Sequence, residues 1–86
     1  MTEWHGKITV THTQRVGKRL YCEVQIEGLM TIREFWLMPG RTGEPLPYPP
    51  LGVSVHDDAL NLEISRVLRA AYYDAFADSV AVLLAR

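Results

Sequence analysis

The side chains able to do chemistry are few and scattered. His5, His12 and His56 share no metal-ligand spacing, and no Cys-x-x-Cys motif accompanies them. The strongest acid–base candidate is His56, followed directly by Asp57 and Asp58, because an imidazole beside carboxylates can exchange protons near neutral pH. The same three residues also fit a helix start, with Asp57 or Asp58 capping the first turn. A nucleophilic Cys22 would need an exposed, electropositive setting and a nearby base. Instead it alternates with Leu20, Val24 and Ile26, which places it on the apolar face of a strand. Gly40-Arg41-Thr42-Gly43 has glycines and a cation, as phosphate-cradling loops do. It lacks their longer glycine spacing and the following Gly-Lys-Ser/Thr, so a hairpin loop with Arg41 in water is the simpler expectation. These residue types point away from an enzyme and imply no cofactor and no metal.

With 86 residues, the chain has material for one small domain spanning 1–86. Its apolar share of 48% and charged share of 22% are those of a globular protein. A single Cys allows no internal disulfide and suits a reducing compartment. The first residues contain no apolar signal segment, and the longest apolar run outside Pro-rich sequence, Val80 to Ala85, is too short to span a bilayer. A soluble, cytoplasmic protein with no membrane partner is therefore expected. The net charge of −1 is unevenly placed: residues 1–21 sum to +3, residues 22–58 to −4, and the remainder to zero. Such a balance disfavours a large phosphate-binding footprint and leaves room for a small one.

Three elements with period-2 patterning come first. Residues 7–13 alternate β-branched or apolar residues with polar ones, and a turn follows around Gly17. Residues 19–27 put Leu20, Cys22, Val24 and Ile26 on one face, with Tyr21, Glu23, Gln25 and Glu27 on the other. After Gly28, residues 29–38 form a third strand ending in Phe35-Trp36-Leu37-Met38. The stretch from Pro39 to Gly52 holds all five prolines, so it is a turn-rich connection with at most an edge strand around Leu46 to Tyr48. From Ala59 the spacing becomes helical. Leu60, Ile64, Val67, Leu68, Ala71 and Ala75 make the apolar stripe, opposite Asn61, Glu63, Arg66 and Arg69. Asp78-Ser79 is the expected break, leaving residues 80–85 as an apolar tail. The predicted fold is α+β: an antiparallel β-meander with one long C-terminal helix on one face.

Aromatic residues add one constraint. Of Tyr72 and Tyr73, one should pack inward and the other stay near the surface, where it could stack on a base. If Phe35 and Leu37 fill the core, Trp36 and Met38 project from the opposite face of the sheet. A strand apolar on both faces needs covering on both, and a single helix covers only one.

The segment VQIEGLMTIREFWLMPGRTG, residues 24–43, resembles the SpoVG family of bacterial septation and sporulation regulators. The likeness lies in Val24-Gln25-Ile26-Glu27, then Ile32-Arg33-Glu34, then Gly40-Arg41-Thr42-Gly43, and finally Leu46-Pro47-Tyr48-Pro49. Element order before and after this segment also agrees. Two stretches differ: Pro49-Pro50-Leu51-Gly52 is short and uncharged where the family has a longer basic loop, and residues 80–85 are apolar where its tail is polar. The resemblance implies a small α+β regulator, commonly dimeric, that binds DNA or RNA.

Two functions follow as expectations. The first is a non-enzymatic, homodimeric nucleic-acid-binding regulator using Arg15, Lys18, Arg19, Arg41, Arg66 and Arg69. Its dimer interface would include Trp36, Met38, Val80 and Leu83. The second is a protein-binding module, a small inhibitor or adaptor of phage or plasmid type, whose Trp36 face and acidic middle segment meet a protein partner.

Overall fold

The computed structural model describes residues 3–77. Strands β1 (Ile8–Val16), β2 (Arg19–Ile26), β3 (Met30–Pro39) and β4 (Pro45–Tyr48) form one antiparallel sheet in the order β1-β2-β3-β4. Helix α1 (Asp58–Ala75) packs on one face, giving the expected α+β meander. The anticipated helix break at Asp78-Ser79, the tail, and the interface residues Val80 and Leu83 lie outside the described residues. No helix among the described residues is long and apolar enough to cross a membrane.

The period-2 pattern of residues 19–27 carries over directly: Leu20, Cys22, Val24 and Ile26 are all buried beneath the helix. Gly17, at φ +62°, takes the left-handed conformation that lets β1 turn straight into β2. Strand β3 has a complication that alternation alone misses. Ile32 and Phe35 are three apart, so a regular strand would point them to opposite faces, yet both are buried. The register explains this. Cys22 pairs with Phe35 and Val24 with Ile32, leaving an extra residue on β3 as a bulge at Arg33-Glu34. A second bulge occurs on β1, where Thr11 pairs with Glu23 and Gln14 with Tyr21. Each bulge contains a non-glycine residue at positive φ: Glu34 at 61° and His12 at 52°. Such conformations cost about 1–3 kcal/mol each and persist because the surrounding pairing holds them. The β1 bulge lies opposite Cys22 and the β3 bulge opposite Glu23, and each returns its strand to the right parity for its last residues.

The helix begins where the sequence places it. Asp57 is the N-cap, and its carboxylate accepts a hydrogen bond from the Leu60 amide at 3.0 Å. Leu60, Ile64 and Leu68 are buried, with Val67, Ala71 and Ala75 partly buried beside them. One residue departs from the expected division into apolar and polar sides. Glu63, assigned to the polar side, is buried at 6% exposure. It sits three residues after Leu60, which is itself a slot of the inward stripe, so helical geometry carries its carboxylate to the sheet side. Phe76 closes the helix, its amide donating to the Tyr72 carbonyl at 3.0 Å and its ring entering the core. The far edge of the sheet is β4, where Pro45 and Pro47 supply no N–H for another strand to pair with.

Candidate nucleic-acid interface

With the helix on one face, no element among the described residues covers the other, open face of the sheet. Its side chains come from alternate positions of β2, β3 and β4, and the strand register decides which of them meet. Tyr21 pairs with Trp36, and Trp36 with Tyr48, so three aromatic residues form one row across three neighbouring strands. Tyr21 and Trp36 meet edge to face at 5.5 Å between ring centroids, with 74° between planes. The Arg19 guanidinium lies over the Trp36 ring at 5.2 Å. Met38 pairs with Leu46 next to this row. Trp36 and Met38 are half-buried, whereas Leu46 and Tyr48 are exposed. Trp36 and Met38 thus project from the open face, as alternation anticipated.

A meander places alternate turns at the same end of its sheet. The β1–β2 turn at Gly17-Lys18 and the β3–β4 loop at 40–44 therefore share one end, and they bring Lys18, Arg19 and Arg41 there. Two backbone bonds hold the loop tight, from the Gly40 amide to the Glu44 carbonyl at 2.9 Å and from the Gly43 amide to the Gly40 carbonyl at 3.0 Å. Arg41 stands out from it into solvent. Among the described residues, none of Lys18, Arg19 and Arg41 has a carboxylate partner.

The other three candidate arginines have neighbours within the fold. Arg15 pairs across from Leu20 near the same end, its guanidinium 4.3 Å above the Phe76 ring on the helix side. Arg69 also reaches this end: its Nε donates to the Pro45 carbonyl at 3.3 Å and it lies 3.7 Å from the Glu44 carboxylate. Arg66 does not join them. Its Nε donates to Glu63 at 2.9 Å and a second guanidinium N–H donates to the other carboxylate oxygen. Arg66 and Arg69, expected together on the polar side of the helix, each have a neighbour within the fold. Arg66 neutralises a carboxylate that the apolar stripe has carried inward, and Arg69 bridges the helix to β4.

These hydrogen bonds from Arg66, aided by its charge and by His5 3.8 Å away, hold the Glu63 carboxyl below the usual carboxylate range. A group whose folded-state pKa is depressed adds stability above its ordinary pKa and loses it as pH falls through the lowered value. Arg66→Ala is therefore expected to lower Tm at neutral pH, by leaving Glu63 buried without its partner. Glu63→Gln should flatten the acid limb of the stability curve measured by thermal melts across pH. A Tm of Arg66→Ala equal to that of the parent would show the pair to be incidental.

The acid–base candidates are not assembled into a site. His56 is exposed, and Asp57 is occupied by the helix cap. Cys22 is fully buried and its thiol is pushed up to about 12 by desolvation. His12 lies 3.3 Å from Glu23 on the open face. Among the described residues, no group of three His, Cys, Asp or Glu is placed to hold a metal ion. A cleft of about 350 Å³ opens between the Pro-rich connection and α1, lined by Phe35, Val53, Val55 and Ile64 with the neutral Ser54, Asn61 and Ser65. Of the two helix tyrosines, Tyr72 turns in and donates to the Lys18 carbonyl at 2.8 Å, while Tyr73 stays exposed.

Sequence reasoning missed Tyr21 and Tyr48 as partners of Trp36. Alternation did place Tyr21 away from the core, and Tyr48 lay in the expected edge strand, but only the register shows that all three share one row. Comparison of the chain with protein-family models, with curated proteins and with solved structures finds no match.

Proposed function

We propose that this chain is a non-enzymatic, homodimeric regulatory protein that binds nucleic acid, of the kind its resemblance to SpoVG-like regulators implies. The observation that carries this reading is the meeting of Lys18, Arg19 and Arg41 at one end of the sheet without carboxylate partners among the described residues, with Arg15 and Arg69 beside them. Phosphates would supply the missing counter-charge, and release of their bound ions would drive association. Reversing Lys18 and Arg19 to Glu is expected to weaken oligonucleotide binding uniformly across sequences. It should also flatten the salt dependence by about 0.7–0.9 in log–log slope for each phosphate no longer neutralised. Fluorescence anisotropy over a salt series reads both quantities. An absence of binding to single-stranded DNA, duplex DNA and RNA at low salt would refute the reading.

A protein-binding module is the second reading, favoured by Leu46 and Tyr48 lying exposed beside Trp36 and Met38. A second copy of the chain is one partner for that apolar set. Light scattering decides on self-association: a mass of one chain at every concentration rules out the homodimer.

A further inference from the structure

We propose that the open face of the sheet is a stacking platform for single-stranded nucleic acid, with its bases laid across the Tyr21–Trp36–Tyr48 row and its phosphates held at the Lys18, Arg19 and Arg41 end. This rests on the reading of the chain as a nucleic-acid binder and names the form of nucleic acid it takes. Neighbouring strands lie about 4.8 Å apart, so a row across three of them spans about 10 Å, room for two or three bases. Aromatic rings on a sheet face accept any base, because every base has a π-face, and a guanidinium plane stacks in the same way. Tyr48, at 43% exposure on the edge strand, offers its ring without rearrangement. Arg19 over Trp36 extends the platform with a cationic plane, and Tyr21 backs Trp36 from the neighbouring strand.

Charge selects this occupant over a protein. Three cations without carboxylate partners among the described residues border the row, and a phosphate backbone supplies negative charge at every nucleotide. Glu23 and Glu27, which alternation puts on the same face, are two and six residues along the chain from Tyr21, further from the basic end, with Glu23 beside His12; Glu44, in the β3–β4 loop, lies 3.7 Å from Arg69. This polarity keeps the backbone on the turn side of the row. Duplex is disfavoured because its base faces are stacked inside the helix, leaving only the phosphates for the basic end to touch.

The test uses the full chain with fluorescein-labelled oligo-dT, oligo-U and a mixed-sequence duplex, in anisotropy titrations at low salt. Tyr48→Ala leaves the core intact, a point that its thermal melt verifies. It is expected to weaken binding to both single strands about 5- to 150-fold, with the salt slope and the duplex affinity unchanged. Trp36→Leu, which keeps apolar bulk, should act in the same direction. The platform is overturned if Tyr48→Ala binds oligo-dT and oligo-U as the parent does, or if duplex binds as tightly as single strands. It is also overturned if light scattering shows a dimer that Tyr48→Ala dissociates without any change in oligonucleotide affinity. In each of those cases nucleic-acid binding through the basic end survives, whereas no binding of any of the three probes removes the proposed function itself.

Discussion

Leu68→Ala is expected to destabilise the domain by about 2–5 kcal/mol, the range for truncating a fully buried leucine. Leu68 has no exposed surface and sits in the middle of the helix stripe, in one buried core cluster with Leu20, Cys22 and Leu37 of the sheet. Alanine keeps the helix propensity, so the loss measures packing between helix and sheet rather than helix formation. A domain of this size has about 5–15 kcal/mol in total, and each kcal/mol moves Tm by about 4–8 °C. Tm should therefore fall by about 10 °C or more. Leu62→Ala on the same helix is the control: Leu62 is 71% exposed, and the change should stay within about 0.5 kcal/mol. Equal losses from the two substitutions in thermal or urea melts would mean that α1 does not dock through this face.

Cys22 should be close to inert in the folded protein. It is wholly buried, its Sγ donates to the Phe35 carbonyl at 3.6 Å, and desolvation pushes its pKa from 9.0 up to about 12. The thiolate is the reactive form, and its share falls tenfold each time the pKa rises by one. Alkylation at pH 8 should therefore be slower by about a thousandfold than in denaturant. Iodoacetamide labelling followed by mass spectrometry measures this directly; equal rates would place the thiol at the surface. The raised pKa also makes stability depend on alkaline pH. Between pH 9 and 12 the unfolded chain releases the thiol proton and the folded chain keeps it. The contribution is full below pH 9 and declines as pH rises towards 12. Cys22→Ala should remove that part of the alkaline decline.

How much of the candidate interface is legible in the sequence depends on whether local spacing is enough. Lys18, Arg19 and Arg41 are identifiable as exposed cations in two turns, and meander topology alone implies that those turns share an end. Trp36 and Met38 are identifiable as facing away from the core, since Phe35 and Leu37 claim the other side. The pairing of Arg66 with Glu63 is not seen when helix spacing is read for its apolar members only. Glu63 occupies an inward slot, and a carboxylate there must be paired, which commits Arg66 three residues later.

The elements themselves are written in the order of the residues: three alternating strands, an edge strand among prolines, and a helix capped by Asp57. Each is a local property, set by side-chain period, by proline's missing N–H and by the capping carboxylate. Strand pairing is not local, and it emerges only in the folded chain. The bulges at His12 and Glu34 arise because Val10 and Arg15 on β1, and Ile32 and Phe35 on β3, must each face the same side despite opposite parity. No window of neighbouring residues contains that requirement, since it is the buried face of β2 beneath α1 that enforces it. The register that results aligns Tyr21, Trp36 and Tyr48 across three strands. A slip of one residue would turn a strand's side chains to the opposite face and break the row, so it exists only where core packing has already chosen the register.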